Sequence, residues 1–144
     1  IVDYAHTPDS LEQAYKALAG RKLICVLGNT GGGRDKWKRK VMGEIADKHC
    51  LAIILTNEDP YDEDPVKIVE DMKEGIKKTL CEIIIDRRKA VKKAIALGRE
   101  SGEKCVVIIT GKGTDPYIMG PRGTKLPWSD YIVAEEELAK FGKF

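Results

Sequence analysis

The chain reads Lys22-Leu23-Ile24-Cys25-Val26-Leu27 and then passes into Gly28-Asn29-Thr30-Gly31-Gly32-Gly33. A short, continuous apolar run of this kind is typical of a parallel strand that is covered on both faces. Similar runs follow at residues 51–56, 81–85 and 104–110, and residues 1–3 indicate the end of another strand. Because helical patterns separate these runs, the sequence predicts an α/β fold with right-handed crossovers.

The predicted helices each carry one apolar face. These faces comprise Leu11, Ala14, Tyr15 and Leu18; Met42, Ile45 and Ala46; Val69, Met72, Ile76 and Leu80; Val91, Ala94 and Ile95; and Ala134, Leu138 and Phe141. Thr7 before Pro8, and Asp64 before Pro65, are predicted N-caps, since proline suits the first helical position. Residues 120–127 are expected to form a loop or hairpin. We predict a Rossmann-like domain, with a mostly parallel sheet and helices on both faces.

Length and charge narrow the class of protein. The 144 residues suit one domain with a real core. The 25 basic and 23 acidic residues nearly cancel, which argues against a bulk nucleic-acid or membrane binder. The four cysteines have neither metal-site nor redox-motif spacing, so buried, reduced thiols of a cytosolic protein are expected. The chain opens on Ile1 directly before a strand, and we expect it to be one domain of a longer protein.

Ligands of such sheets bind beyond the carboxyl ends of the strands. That rule selects four segments, which we call the first loop (residues 3–10), the second loop (28–35), the third loop (56–65) and the fourth loop (111–117). The first loop begins Asp3-Tyr4-Ala5-His6-Thr7-Pro8. A carboxylate there could accept from ribose hydroxyls, and the imidazole or the phenol could meet a phosphate or a base. A well-capped turn without a ligand is the alternative.

The second loop is glycine-rich but has neither common phosphate-binding spacing. Thr30 occupies the second glycine position of a dinucleotide fingerprint, and Arg34-Asp35 stand where a P-loop needs lysine and a hydroxyl residue. The basic residues that follow, around Trp37, are more typical of a solvated helix face than of a nucleic-acid surface.

The third loop holds five acids between Glu58 and Asp64. A helix N-terminus favours acids, which accounts for residues 62–64 but not for Glu58 and Asp59. A basic second loop beside an acidic third loop would form a cleft suited to a zwitterionic amino acid. The fourth loop, Gly111-Lys112-Gly113-Thr114-Asp115, would be a plain glycine turn if it stood alone.

Together, these motifs resemble the C-terminal domain of the Mur ligases, the ATP-dependent amide-bond formers of bacterial cell-wall synthesis. The resemblance covers nearly the whole chain and is most specific in the first loop. The Gly-Gly-x-Arg-Asp-Lys-x-Lys-Arg pattern of the second loop, Glu58-Asp59-Pro60-Tyr61, and the Gly-Lys-Gly-x-x pattern ending at Asp115 are similar to segments of the MurE-type ligases.

The resemblance implies roles for particular residues. It implies nucleotide contact for Asp3, Tyr4 and His6. It implies binding of the incoming amino acid for Arg34, Glu58, Asp59, Tyr61, Gly111 and Asp115. Arg34 would bind the amino acid's carboxylate, because a guanidinium donates two parallel hydrogen bonds. The domain would position the amine and close over ATP, so no catalytic or metal-binding residue is expected in it.

The implied reaction is formation of an acyl phosphate on UDP-N-acetylmuramoyl-L-Ala-D-Glu, followed by its displacement by an amino acid. ATP and Mg²⁺ are the implied cofactors. The P-loop and the Mg²⁺ ligands of such enzymes lie in a central domain, and an N-terminal domain binds the UDP group; neither domain is in this sequence. The chain alone is expected to fold without turnover. A cytoplasmic, monomeric bacterial protein with no nucleic-acid or membrane partner is expected.

Departures from the family pattern bear on the acceptor. Enzymes that add meso-diaminopimelate carry Arg where this chain has Tyr61, and Asn where it has Asp59. Asp115 is one methylene shorter than the usual Glu. The extra acid and the missing cation favour lysine or ornithine over diaminopimelate. Two alternatives remain: another Mur or folylpolyglutamate-type ligase, and a non-catalytic nucleotide-binding α/β module.

Overall fold

The computed structural model describes residues 1–33 and 35–142 and shows strands and helices in alternation. The helices are α1 (Pro8–Ala17), α2 (Trp37–His49), α3 (Pro65–Lys73), α4 (Arg87–Glu100) and α5 (Asp130–Ala139). The strands are β1 (Lys22–Leu27), β2 (Ala52–Leu55), β3 (Leu80–Ile83), β4 (Cys105–Ile109), β5 (Tyr117–Met119) and β6 (Lys125–Pro127). A 3₁₀ turn, Pro121–Gly123, joins the last two strands.

The main sheet has the order β3-β2-β1-β4, and all its pairs are parallel. Ile24 of β1 lies opposite Ala52 on one side and Val107 on the other. Residues 1–3 were predicted to end a strand; the structure shows one parallel bridge, from Val2 to Ile109, which places the extended start of the chain beside β4. The α/β fold with a parallel sheet is thereby confirmed.

Alternation along the strands supplies a core on each face of the sheet. Leu23, Cys25 and Leu27 of β1 pack with buried side chains of α1, α2 and α3. Ile24 and Val26 point to the other face and pack with α4 and Val133 of α5. Each fully buried aliphatic side chain contributes about 1.5–3 kcal/mol relative to exposure, so both faces stabilise the sheet that carries the loops.

The predicted helix starts are present. Thr7 Oγ1 accepts a hydrogen bond from the Ser10 N–H at 3.2 Å, and the Ser10 hydroxyl completes a capping box. Asp64 Oδ1 accepts from the Val66 N–H at 2.9 Å. Both caps fix the direction in which the chain leaves a loop at the carboxyl edge of the sheet.

Several element boundaries differ from the prediction. Leu80 does not belong to a helical face; it opens β3 and is 67% exposed. Helix α3 ends at Lys73, so Ile76 packs against the core from a turn, and Phe141 follows the end of α5. Residues 120–127, predicted to form a loop or a hairpin, belong to the antiparallel β5–β6 hairpin.

The four cysteines are free. Cys25 and Cys50 are buried, as predicted, but Cys81 and Cys105 are only half-buried, so the prediction of burial is wrong for these two. Within residues 1–33 and 35–142, the structure contains no helix of the length and apolarity that crossing a bilayer requires. In the same ranges, no group of three His, Cys, Asp or Glu residues is arranged to hold a metal ion.

Candidate functional site

The first, third and fourth loops meet at the carboxyl edge of the main sheet. The first loop is tied to this edge by the Asp3 N–H, which donates to the Ile109 carbonyl at 2.9 Å. The third loop leaves β2 and reaches past the end of β1 to the fourth loop, which leaves β4. Residues far apart in the sequence are therefore brought together on one surface.

The first loop turns on Asp3 and presents two rings to solvent. Asp3 Oδ1 accepts from the Ala5 N–H at 2.7 Å, which closes the turn. The rings of Tyr4 and His6 meet edge-on with centroids 4.7 Å apart, and His6 Nδ1 lies 3.0 Å from the Tyr4 carbonyl oxygen. Tyr4 is 53% exposed. The paired rings offer a flat face and a ring nitrogen to a ligand.

Two glycines let the fourth loop approach its neighbours. Gly111 has φ +103°, and a Cβ atom there would stand 2.4 Å from Glu58 Oε2. Gly113 has φ +51°, and a Cβ atom there would stand 2.8 Å from the Tyr4 Cβ. Residues other than glycine rarely adopt these positive φ angles, and neither position has room for a Cβ atom. The Gly-Lys-Gly motif thus places the fourth loop against the other two loops.

Glu58 is the buried acid of this cluster. It is 5% exposed, and its Oε2 has no hydrogen-bond partner in the part of the chain that the structure describes. Burial raises the pKa of Glu58 to about 7, an effect that Arg87, Lys112 and His6 oppose and Asp59 reinforces. Glu58 therefore binds a proton more readily than an exposed glutamate does.

Lys112 is a buried cation that joins the third and fourth loops. Its Nζ donates to both carboxylate oxygens of Asp59, at 2.8 and 2.9 Å, and lies 3.6 Å from Asp115 Oδ2. Asp59 Oδ1 also accepts from the Met119 N–H at 2.8 Å. Sequence reasoning did not assign Lys112 a role, although a lysine enclosed by two glycines next to a buried strand was a usable signal.

Arg87 is a second buried cation that sequence reasoning missed. Its guanidinium donates to both carboxylate oxygens of Asp130 at 2.8 Å, to the Asn57 carbonyl at 2.9 Å and to the Thr110 carbonyl at 2.8 Å. Those carbonyls directly precede Glu58 and Gly111. Arg87 is the first residue of α4, a position where the helix dipole disfavours a cation. A basic residue at a predicted helix start could therefore have indicated a buried ion pair.

The second and third loops are neighbours, as predicted. The Gly31 N–H donates to the Asp59 carbonyl at 2.7 Å. Arg34 lies outside the described residues. The basic run is only partly a solvated face: Trp37 is 66% exposed, but Arg39 is buried.

Tyr61 lies between the second loop and the β5–β6 hairpin. It adopts φ +51°, and its N–H donates to the Met119 carbonyl at 3.1 Å. Its ring is next to Gly32 and is partly exposed. Here the third loop and the hairpin enclose a cavity of about 550 Å³ with Ile118 and Leu126 in its wall. Among the described residues, a groove of about 700 Å³ beside β4 is lined by Ile1 but by none of the predicted site residues.

Comparisons with known proteins point to one family. The family model described as "Mur ligase, glutamate ligase domain" matches residues 1–113. A UDP-N-acetylmuramoyl-L-alanyl-D-glutamate–2,6-diaminopimelate ligase from Aquifex aeolicus is 45% identical over 99% of this chain, and its counterpart from Chromobacterium violaceum is 42% identical over 99%. A solved structure of a ligase with that name superposes with a TM-score of 0.85 at 33% identity, over 99% of this chain. The chain spans 29% of the length of each of these proteins.

Proposed function

The chain belongs to the Mur ligase family, and from that premise we propose that it is the C-terminal domain of a MurE-type ligase, an ATP-dependent enzyme of bacterial peptidoglycan synthesis. The observation that carries the proposal is the meeting of three loops at one edge of the sheet. Tyr4 of the first loop lies against Gly113 of the fourth loop, and Gly111 of the fourth loop packs on Glu58 of the third loop. This arrangement supports the proposal because it brings the residues proposed for nucleotide contact next to the acidic residues proposed for the acceptor.

The proposed reaction proceeds in two steps. ATP phosphorylates a carboxylate of UDP-N-acetylmuramoyl-L-Ala-D-Glu, and the amine of the incoming amino acid then displaces phosphate from the acyl phosphate to form an amide. We assign phosphate cradling and Mg²⁺ binding to a central domain, and UDP binding to an N-terminal domain, outside these 144 residues. This domain orients the amine and closes over ATP, which is a contribution of position rather than of acid–base chemistry.

Within this proposal, Asp3, Tyr4 and His6 contact the nucleotide. The acceptor is held by Arg34, Glu58, Asp59, Tyr61, Gly111 and Asp115. The Asp59 carboxylate, which accepts hydrogen bonds from the Lys112 ammonium and the Met119 N–H, also fixes the third loop against the fourth loop. Asp115 is less buried than Asp59 and is the better placed of the two to meet an amine from solvent.

The acceptor is a separate part of the proposal. The relatives named above are called diaminopimelate ligases, and Tyr61 cannot supply the cation that a second carboxylate requires. We propose an acceptor with one carboxylate, such as lysine or ornithine. The Asp59 charge supports this less than the sequence suggested, because Lys112 neutralises it. Tyr61 is the residue on which the acceptor hypothesis depends.

The test is phosphate release by this domain joined to its upstream coding sequence. The assay contains ATP, Mg²⁺, UDP-N-acetylmuramoyl-L-Ala-D-Glu and a panel that includes lysine, ornithine and meso-diaminopimelate. Release that depends on one amino acid supports the ligase and names its acceptor. Preference for diaminopimelate overturns the acceptor hypothesis alone. A folded protein with no release for any amino acid overturns the ligase in favour of a nucleotide-binding module or another acyl donor.

The same proposal covers the setting of the protein. We infer a cytoplasmic, monomeric enzyme whose partners are its substrates and its own N-terminal and central domains, with no nucleic-acid or membrane partner. Sedimentation of the joined protein with and without substrates checks the monomer.

A further inference from the structure

Arg39 is a buried cation at the junction of α2, α3 and the third loop. Its side chain is 1% exposed, although it sits in a run of lysines whose neighbours Lys36 and Lys40 are exposed. One terminal nitrogen donates to Asp71 Oδ2 at 3.1 Å. The other donates to Glu63 Oε2 at 2.9 Å and to the Thr30 carbonyl at 3.3 Å. The Arg39 guanidinium therefore contacts the second loop directly and also through Glu63.

Glu63 makes the second half of this connection. Its Oε1 accepts from the Gly33 N–H at 2.6 Å, while its Oε2 accepts from Arg39. Burial acts to raise the pKa of Glu63, but hydrogen bonds from Arg39 and the Gly33 N–H outweigh it and lower the pKa. Glu63 is thus an ionised acceptor at neutral pH, and its two oxygens bind two different parts of the chain.

The second loop needs such support. Three successive glycines, Gly31-Gly32-Gly33, give it more backbone freedom than other residues would, and that freedom must be removed to hold one conformation. The Gly31 N–H donates to the third loop, the Thr30 carbonyl accepts from Arg39, and the Gly33 N–H donates to Glu63. These contacts restrain the loop up to the residue immediately before Arg34.

We propose that Arg39 and Glu63 are positioning residues, which hold the glycines of the second loop beside the third loop and so support binding of the amino-acid acceptor. This inference rests on the proposed function and goes beyond it, because neither side chain is assigned to the site. A helix N-terminus that favours acids does not require a carboxylate aimed at a glycine 30 residues earlier in the sequence. Apart from their bond to each other, Arg39 and Glu63 have hydrogen-bond partners in the second loop and in α3, whereas the residues proposed for nucleotide contact lie in the first loop.

The first experiment uses the 144-residue chain and does not depend on activity. Amide hydrogen exchange and ¹H–¹⁵N spectra are compared for Glu63→Ala, Glu63→Gln and the control Glu70→Ala, whose glutamate is exposed on α3. Loss of the bond to Gly33 predicts about tenfold faster exchange of the Gly33 amide in Glu63→Ala. Glu63→Gln keeps an oxygen for Gly33 and is expected to show a smaller change. If Glu63→Ala does not fold, Glu63→Gln with shifted Gly31 and Gly33 resonances carries the test.

The second experiment uses the joined ligase. Glu63→Ala is expected to raise KM for the acceptor about tenfold while KM for ATP stays within about twofold, and Glu70→Ala is expected to change neither. An equal rise in both KM values would mean general disruption and would overturn positioning. Unchanged Gly33 exchange would overturn it as well. Absence of ligase activity in the unmodified protein overturns the proposed function instead, and the exchange result still decides whether Glu63 holds the loop.

Discussion

Glu58 and Asp59 are adjacent acids, but only Asp59 has hydrogen-bond donors around its carboxylate among the described residues. Asp59 is held by the buried Lys112 ammonium and by a backbone N–H. Glu58 lies against Gly111, and its Oε2 has no partner in the part of the chain that is described. A carboxyl group without a donor is expensive to ionise when buried, which is why its pKa rises to about 7.

The raised pKa predicts a pH dependence of stability. Glu58 binds its proton more tightly in the folded chain than in the unfolded chain, whose value is 4.5, so folding stability falls as pH rises from about 4.5 to about 7. The full effect of this group is about 3 kcal/mol. Glu58→Gln cannot ionise, so its stability relative to the unmodified chain should increase over this window. Urea unfolding at pH 5 and pH 8 measures the difference.

The control for this prediction is Glu103→Gln, which removes an exposed glutamate from the loop before β4. Its stability difference from the unmodified chain should not change with pH. A Glu58→Gln chain whose relative stability is the same at pH 5 and pH 8 would show that Glu58 titrates near its ordinary value, and the description of its surroundings would be wrong.

At the scale of elements, the strands and most helix faces were predictable because their signals are local. Buried parallel strands leave continuous apolar runs, and β1 matches its run residue for residue. The assignment of Leu80 to a helix face was wrong because Leu80 lies four residues after Ile76, which is a helical spacing. Leu80 instead opens β3, an edge strand whose residues are alternately exposed and half-buried. Local periodicity cannot distinguish an apolar residue on an exposed edge from one on a helix face.

The buried cations were not predictable from the same kind of signal. Arg39 looked solvated because its neighbours in sequence are lysines, but its partners Glu63 and Asp71 lie 24 and 32 residues away. Arg87 reaches Asp130 across 43 residues. The sequence placed acids and a glycine motif at the edge of the sheet, yet which acids are neutralised depends on contacts that only the assembled elements create.

Arg87 allows a test of how α5 is joined to the segments that follow β2 and β4. Its guanidinium binds the first residue of α5 and the carbonyls of Asn57 and Thr110, which follow β2 and β4. Arg87→Met would leave the Asp130 carboxylate buried without its cation, which typically costs about 3–5 kcal/mol of unfolding free energy. Arg87→Lys keeps the charge but cannot make all four hydrogen bonds, and it should recover only part of the loss. Urea unfolding measures both.

The matched control is Lys92→Met, which removes an exposed cation from α4. Exposed charges contribute about 0–1 kcal/mol, so this change should be small. If Arg87→Met costs no more than Lys92→Met, the Arg87–Asp130 pair does not join the segments after β2 and β4 to α5 in the way that the structure indicates.

At the scale of the whole molecule, the parallel sheet explains why the candidate site lies on one edge. Parallel order brings the carboxyl ends of β1, β2 and β4 to the same side, and the first loop joins them because its strand-like start pairs with β4. The two cores lie on the faces of the sheet, and the described residues that form them include none from the four loops. Most of the apolar burial is therefore separate from the proposed ligand contacts.

This separation predicts that the 144-residue chain folds without turning over ATP. Both faces of the sheet are covered by the chain's own helices, so urea should unfold it in one cooperative transition. The sequence has no Gly-x-x-x-x-Gly-Lys-Ser/Thr segment to cradle ATP phosphates, and the described residues show no acidic metal cluster. Phosphate release from ATP and Mg²⁺ should match the protein-free background, with or without amino acids. The joined ligase, assayed alongside, should release phosphate only with its acceptor. Rapid release by the chain alone would mean that these loops hold a complete phosphoryl-transfer site, and the assignment of that chemistry to a central domain would be wrong.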